Sequence, residues 1–188
     1  MRKAMRALAA AVVAATAWAG VAPADDLKAY VVTNRTFGYE VAYPADWQVA
    51  TPEGLDFLFL SPDQGTFCMT QGAAVPDMAG VPDADIKTAM SQNLGEQFWN
   101  NMFFSDIAGT KYLKTDSLAD HPGGWPVQFV VAQGSPDMGN GPQDMIFAGI
   151  ATFKAATGYL VMCVSHPSVF EANSGGVSVI LGTFKINK

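Results

Sequence analysis

Hydrophobic positions alternate with polar ones at several places along this chain, and the alternation predicts strands. Phe37, Tyr39, Val41 and Tyr43 fall at period two, the inward face of a half-buried strand, and Pro44 ends the run because it has no N–H for a ladder. Trp47-Gln48-Val49 resumes an extended segment. Residues 57–60 form a short apolar strand closed by the turn Ser61-Pro62-Asp63-Gln64-Gly65, and 66–75 reads as its hairpin partner. A second set of extended segments covers 110–118, 125–134, 144–154 and 158–165, divided by His-Pro-Gly-Gly, by 135–142 and by 155–158. Connections this short favour antiparallel neighbours and hence a meander. Gly158 is placed to supply a positive-φ turn residue.

Between the two sets the period changes. Ile86, Met90, Leu94, Phe98 and Met102 recur every four residues, which predicts one amphipathic helix over 84–104 whose stripe packs on a sheet. Asp83 and Asp85 suit its start, where free N–H groups and the positive dipole end lie, and Gly95 interrupts its middle. Trp99 lies beside the stripe, outside it. Pro167-Ser168 opens a second helix from Val169 to about Leu181, with Val177, Ile180 and Leu181 as its apolar side. Gly175-Gly176 weakens its centre and predicts a break there. The fold class is therefore α+β, an antiparallel β-sheet flanked by helices, in a single domain over 25–188.

Residues 1–24 read as a secretory signal peptide. Arg2, Lys3 and Arg6 form a basic start, an uncharged Ala-rich run follows, and Ala22-Pro23-Ala24 offers a cleavage site before Asp25. Ala17-Trp18-Ala19 offers a second cut, after Ala19. A retained membrane anchor is the alternative, but the run falls short of the roughly 20 strongly apolar residues a spanning helix needs. No later stretch approaches that length, so the mature chain carries no integral membrane segment and is expected to be periplasmic.

Composition changes the picture in two ways. Charged residues are 15% and apolar residues 49%, which excludes intrinsic disorder. Cleavage removes three of eleven basic residues and none of seventeen acidic ones, leaving eight against seventeen and a formal charge of −9. A chain of that sign is no general nucleic-acid binder. Two cysteines remain, Cys68 and Cys163. In an oxidising compartment they most simply form one disulfide, and two buried free thiols are the alternative.

Three features together resemble the PsbP-like superfamily, which includes the photosystem II subunit PsbP, the bacterial envelope protein DcrB and a Ran-binding nuclear-import factor. Tyr39-x-x-x-Tyr43-Pro44-x-x-Trp47 is similar to the family's opening motif. A long helix follows the first hairpin. The ending, Ile180-Leu181-Gly182-Thr183-Phe184, is similar to the family's closing "I-L-x-S-F". The resemblance implies an α-β-α sandwich, no catalytic residues, a core position for Trp47, and work by docking on larger proteins or supporting membrane-complex assembly. The cysteine pair is no part of it, and the scarcity of basic residues means no photosynthetic role carries over.

The residues themselves offer little chemistry. With two histidines, His121 and His166, and no G-x-S-x-G or Ser-x-x-Lys, nothing pairs a nucleophile with a base, so no enzyme is expected. Asp83 and Asp85 are explained as helix-start residues. No cofactor is implied. A copper-type site is the sharper competitor: Cys68, Met69, Met138, Met145, Met162, Cys163 and His166 are suitable soft ligands. Along a strand, however, Met162 and His166 face one way and Cys163 the other. The best docking candidate is His121-Pro122-Gly123-Gly124-Trp125-Pro126, a rigid surface turn beside a tryptophan, the residue type enriched at interface centres. The competing reading packs Trp125 inward under a helix. Met138, at the tip of the loop 135–143, is the third candidate contact. The expected partner is a protein of the cell envelope or a membrane complex. The alternative is a carrier of a small ligand or metal, held between helix 84–104 and the sheet.

Overall fold

The computed structural model describes residues 28–137, 139 and 141–187. The predicted signal peptide over residues 1–24 and Met138 lie outside them. Among the described residues, ten strands and three α-helices form an α+β fold. A three-stranded sheet has the order β1 (Ala29–Asn34), β2 (Tyr39–Pro44), β10 (Lys185–Ile186). A seven-stranded antiparallel sheet has the order β3 (Gln48–Ala50), β4 (Phe57–Leu60), β5 (Thr66–Ala74), β9 (Thr157–Ser165), β8 (Met145–Lys154), β7 (Val127–Ser135), β6 (Ala108–Leu118). The predicted meander is thus present, and one long-range pairing, β5 with β9, joins it to the first hairpin.

Strands β7 to β9 are buried on both faces, which is why they read as nearly continuous apolar runs. Val127, Phe129 and Val131 point into one core with Tyr159, Val161, Val177 and Ile180, beneath helix α3 (Phe170–Thr183) and the small sheet. Val130, Ala132, Phe147, Met162 and Val164 point into a second core with Trp99 and Phe104, on the opposite face. Helices therefore cover both sides of the large sheet.

The predicted helix over 84–104 is divided. Helix α1 spans Asp83–Met90 and α2 spans Gly95–Trp99, and a π-helical turn continues through Asn100–Phe104. Gly95 sits at φ +70°, in the left-handed region. The break is stabilised by Gln128, fully buried on β7. Its amide donates to the Met90 carbonyl (2.8 Å) and the Gln92 carbonyl (2.7 Å), and its oxygen accepts the Leu94 N–H (2.9 Å). The break rephases the stripe: Leu94 is 38% exposed, while Trp99 is 0% exposed in the centre of the second core. Asp83 starts α1 as expected, but its carboxylate accepts the Ala155 N–H, 3.1 Å away. The β8–β9 turn places its positive φ on Ala155 (48°) and Ala156 (58°), not on Gly158.

The second predicted break does not occur. Helix α3 runs unbroken through Gly175-Gly176, because Gly176 gives room to Trp47: a Cβ there would lie 2.7 Å from the Trp47 ring and 3.1 Å from Pro44. The opening motif is explained by this contact. Tyr39 is fully buried and donates its hydroxyl to Asp56 (2.8 Å), Tyr43 packs on Phe59, and Pro44 and Trp47 meet α3. Gly176→Ala is expected to lose about 1–2 kcal/mol, the overpacking exceeding the gain in helix propensity. Gly182→Ala, where a Cβ would meet nothing within 4 Å, is expected to gain up to about 1 kcal/mol. Urea midpoints of the two variants should move in opposite directions.

Candidate functional site

The turn 121–126 is built on a buried histidine. His121 is 5% exposed; its Nδ1 accepts the Gly123 N–H (3.1 Å), so its Nε2–H donates to the Leu181 carbonyl (2.9 Å) near the end of α3. Gly124 closes the turn at φ +76°, with its N–H on the His121 carbonyl. Gly123 lies so close to the chain that a Cβ there would meet the Phe184 carbonyl and come within 3.2 Å of Lys185 Cα. His121 is therefore corrected from a surface contact to the residue that fastens the turn to the helix end and to β10. Both ring nitrogens are engaged by backbone groups.

Burial holds the His121 imidazole below the ordinary histidine value, partly offset by the Leu181 carbonyl. The folded chain therefore resists protonation, and the unfolded chain takes up the proton first as pH falls through about 6.5. The stability the neutral ring contributes is complete above that value and declines as pH drops toward the lowered folded value. Urea midpoints at about pH 7.5 and about pH 5.5 should fall on acidification in the parent protein, and fall less in His121→Gln.

Trp125 combines the two readings made of it. It is half-buried against the first core, and its Nε1–H donates to the Phe153 carbonyl (3.0 Å). The Lys154 ammonium stands 4.8 Å over its ring. The result is an aromatic plate fixed in one orientation, with a cation on its face. Met138 is outside the described residues; in the loop around it, Asp137 accepts the N–H groups of Gly139 and Gly141 (2.8 and 3.2 Å).

Cys68 and Cys163 are bonded to each other from directly opposite positions on β5 and β9, and both are buried. The bridge removes them as metal ligands. Met162 faces the second core, whereas His166 lies exposed beyond the end of β9 with its Nδ1 2.7 Å from the Ser168 hydroxyl. The structure does not bring Met162, Cys163 and His166 together. Among the described residues no group of three His, Cys, Asp or Glu side chains is placed to hold a metal ion.

Sequence reasoning missed one concavity. Pro44, Trp47, Pro62, Asp63, Asn173 and Gly176 line an open cleft of about 240 Å³ between the Pro44–Trp47 corner and α3. Asp63 accepts from the Ser61 hydroxyl (2.6 Å), the Gly65 N–H (2.9 Å) and the Asn173 amide (2.9 Å), which hold its carboxyl below the usual range. These bonds tie the turn after β4 to the helix. The available signal was Gly175-Gly176, read as a helix weakness when it marks close approach. Beneath α2 and the π turn, the space proposed for a carried ligand is occupied by rings packed edge to face: Phe103 and Phe104 lie 6.0 and 5.2 Å from Phe147, and Phe98 6.3 Å from Phe153. Among the described residues no helix is long and apolar enough to cross a membrane.

No protein-family pattern matches the chain, and no curated protein sequence does. Solved structures do. The cyanobacterial PsbP (CyanoP) of Synechocystis sp. PCC 6803 aligns with a TM-score of 0.54 at 9% identity, covering 89% of this chain and 97% of that one. The Saccharomyces cerevisiae Ran-binding protein Mog1p aligns at 0.52 with 7% identity, covering 87% and 97%. LpqN, involved in cell envelope biogenesis of Mycobacterium tuberculosis, aligns at 0.51 with 9% identity, covering 87% and 92%. At these identities the likeness is one of fold: the chain has the PsbP-like/Mog1 fold.

Proposed function

We propose that this PsbP-like chain is an exported, non-catalytic binding module that docks on a protein complex of the cell envelope. The observation that carries the proposal is the fold, shared across most of the chain with a cyanobacterial PsbP, a Ran-binding protein and a protein involved in cell envelope biogenesis. The buried Cys68–Cys163 bridge and the leader-like residues 1–24 support export, since disulfides persist in oxidising compartments. Close ring packing beneath α2 supports docking over ligand carriage. Trp125 supplies one contact: fixed by Phe153 and flanked by Lys154, it loses little conformational freedom on binding.

The test is gentle cross-linking of the mature chain in its own cell envelope, followed by affinity capture and mass spectrometry. One dominant membrane complex, lost when Trp125→Ala replaces the parent, is the expected result. A chain recovered alone would refute docking, and an equimolar small molecule or metal on it would establish the carrier instead.

A further inference from the structure

We infer that the open edge of β1 is a docking strand, to which a partner protein adds an extended segment with apolar residues at alternate positions. The inference rests on the docking reading above and gives it a second surface. Among the described residues, strand β1 pairs with β2 on one side only. The register, with the Ala45 N–H on the Lys28 carbonyl, turns the backbone groups of Lys28, Tyr30, Val32 and Asn34 toward β2. The N–H and C=O of Ala29, Val31 and Thr33 therefore point outward, where the described residues give them no partner.

The opposite edge of the same sheet is closed. Strand β10 pairs with β2, the Thr183 hydroxyl accepts the Ala42 N–H (2.9 Å), and the Gly123 turn presses on Phe184 and Lys185. The large sheet protects its edges in the usual ways. Strand β3 is three residues long, and β6 carries Lys111, Lys114 and Asp116 and two register irregularities. Strand β1 has none of these devices: Ala-Tyr-Val-Val-Thr-Asn is uncharged, free of proline and regular in register. It also holds the two most exposed large hydrophobic side chains described, Tyr30 (60%) and Val31 (62%), and successive strand residues face opposite ways. An added strand would cover both.

A second copy of this chain is the weaker occupant. Six residues a side fall far below the roughly 20–30 a side of a stable interface, and two copies that each bear a net charge of −9 after leader removal repel. A partner that extends one segment along β1 and makes further contacts elsewhere meets neither objection.

The test uses the oxidised mature chain and an acetylated, amidated strand peptide, Lys-Val-Thr-Val-Tyr-Val-Lys, with amide hydrogen exchange read by NMR. Saturating peptide is expected to slow exchange at Ala29, Val31 and Thr33 by about tenfold or more, and to leave Tyr30 and Val32, already bonded to β2, unchanged. Val31→Pro removes an outward N–H that β2 does not use, and Val31→Lys places a charge on the edge. Each is expected to abolish the protection with the far-ultraviolet circular dichroism unchanged, the second variant serving if the first misfolds. Absence of protection at the three outward amides, protection at another element, or protection that survives Val31→Lys overturns the inference. If a partner is captured through Trp125 while these amides stay open, docking stands and the β1 assignment falls.

Discussion

Loss of the Cys68–Cys163 bridge is expected to lower stability by about 4–5 kcal/mol, because it releases a loop of 95 residues in the unfolded chain. The effect lies mainly in the unfolded state. In the native state β5 and β9 are already paired over nine residues, so the bond adds little that the ladder does not supply. Before folding, however, those strands are the long-range meeting of the chain's first and second halves, and the bridge pre-forms that meeting. For a chain of this size the loss corresponds to a fall in Tm of about 10 °C or more. Thermal unfolding of the Cys68→Ala, Cys163→Ala double variant, followed by near-ultraviolet circular dichroism, measures it. A fall below about 3 °C would mean that the unfolded chain holds these strands together without the bridge.

Gln128→Leu is the second large effect, expected at about 2–3 kcal/mol. The leucine fits the volume but removes three hydrogen bonds at the gap between α1 and α2. The Met90 carbonyl keeps one partner, the Ser117 hydroxyl at 2.7 Å, so the loss falls on the Gln92 carbonyl and the Leu94 N–H. Urea unfolding measures the total. Hydrogen exchange locates it: the Leu94 amide should lose its protection while the centres of β8 and β9 lose only what global stability loses. A variant as stable as the parent would show that the gap closes into a continuous helix without Gln128.

These two effects mark where the sequence was readable. The four long strands from β6 to β9 were legible because their apolar runs are bounded by turn residues, and that punctuation is local. The closeness of Cys68 and Cys163 was legible as a pairing, since an isolated pair in a chain read as exported has few other fates. The gap after Met90 was not, because its cause is a glutamine 38 residues away in sequence. An unbroken period of four conceals it, and Trp99, off that period, proved central to the second core. Gly175-Gly176 misled in the opposite sense: a glycine lowers helix propensity locally, but here the space it leaves is filled by Trp47. Strand β1 carried no clean alternation because neither of its faces is deeply buried.

Trp125 was a candidate contact by residue type and setting, while the role of His121 depended on Leu181, 60 residues away. The outward amides of β1 were beyond sequence reasoning, since which residues face outward is a matter of register with β2. A docking surface made of backbone leaves almost no side-chain signature except the lack of charge that would otherwise guard an edge.

The most direct test of the docking account is the native mass of the mature chain released gently from the envelope of its own source cells. The account predicts the bare, bridged polypeptide, recovered in stable association with a protein partner and with no small molecule or metal in equimolar amount. A free chain carrying one such ligand per polypeptide would contradict it.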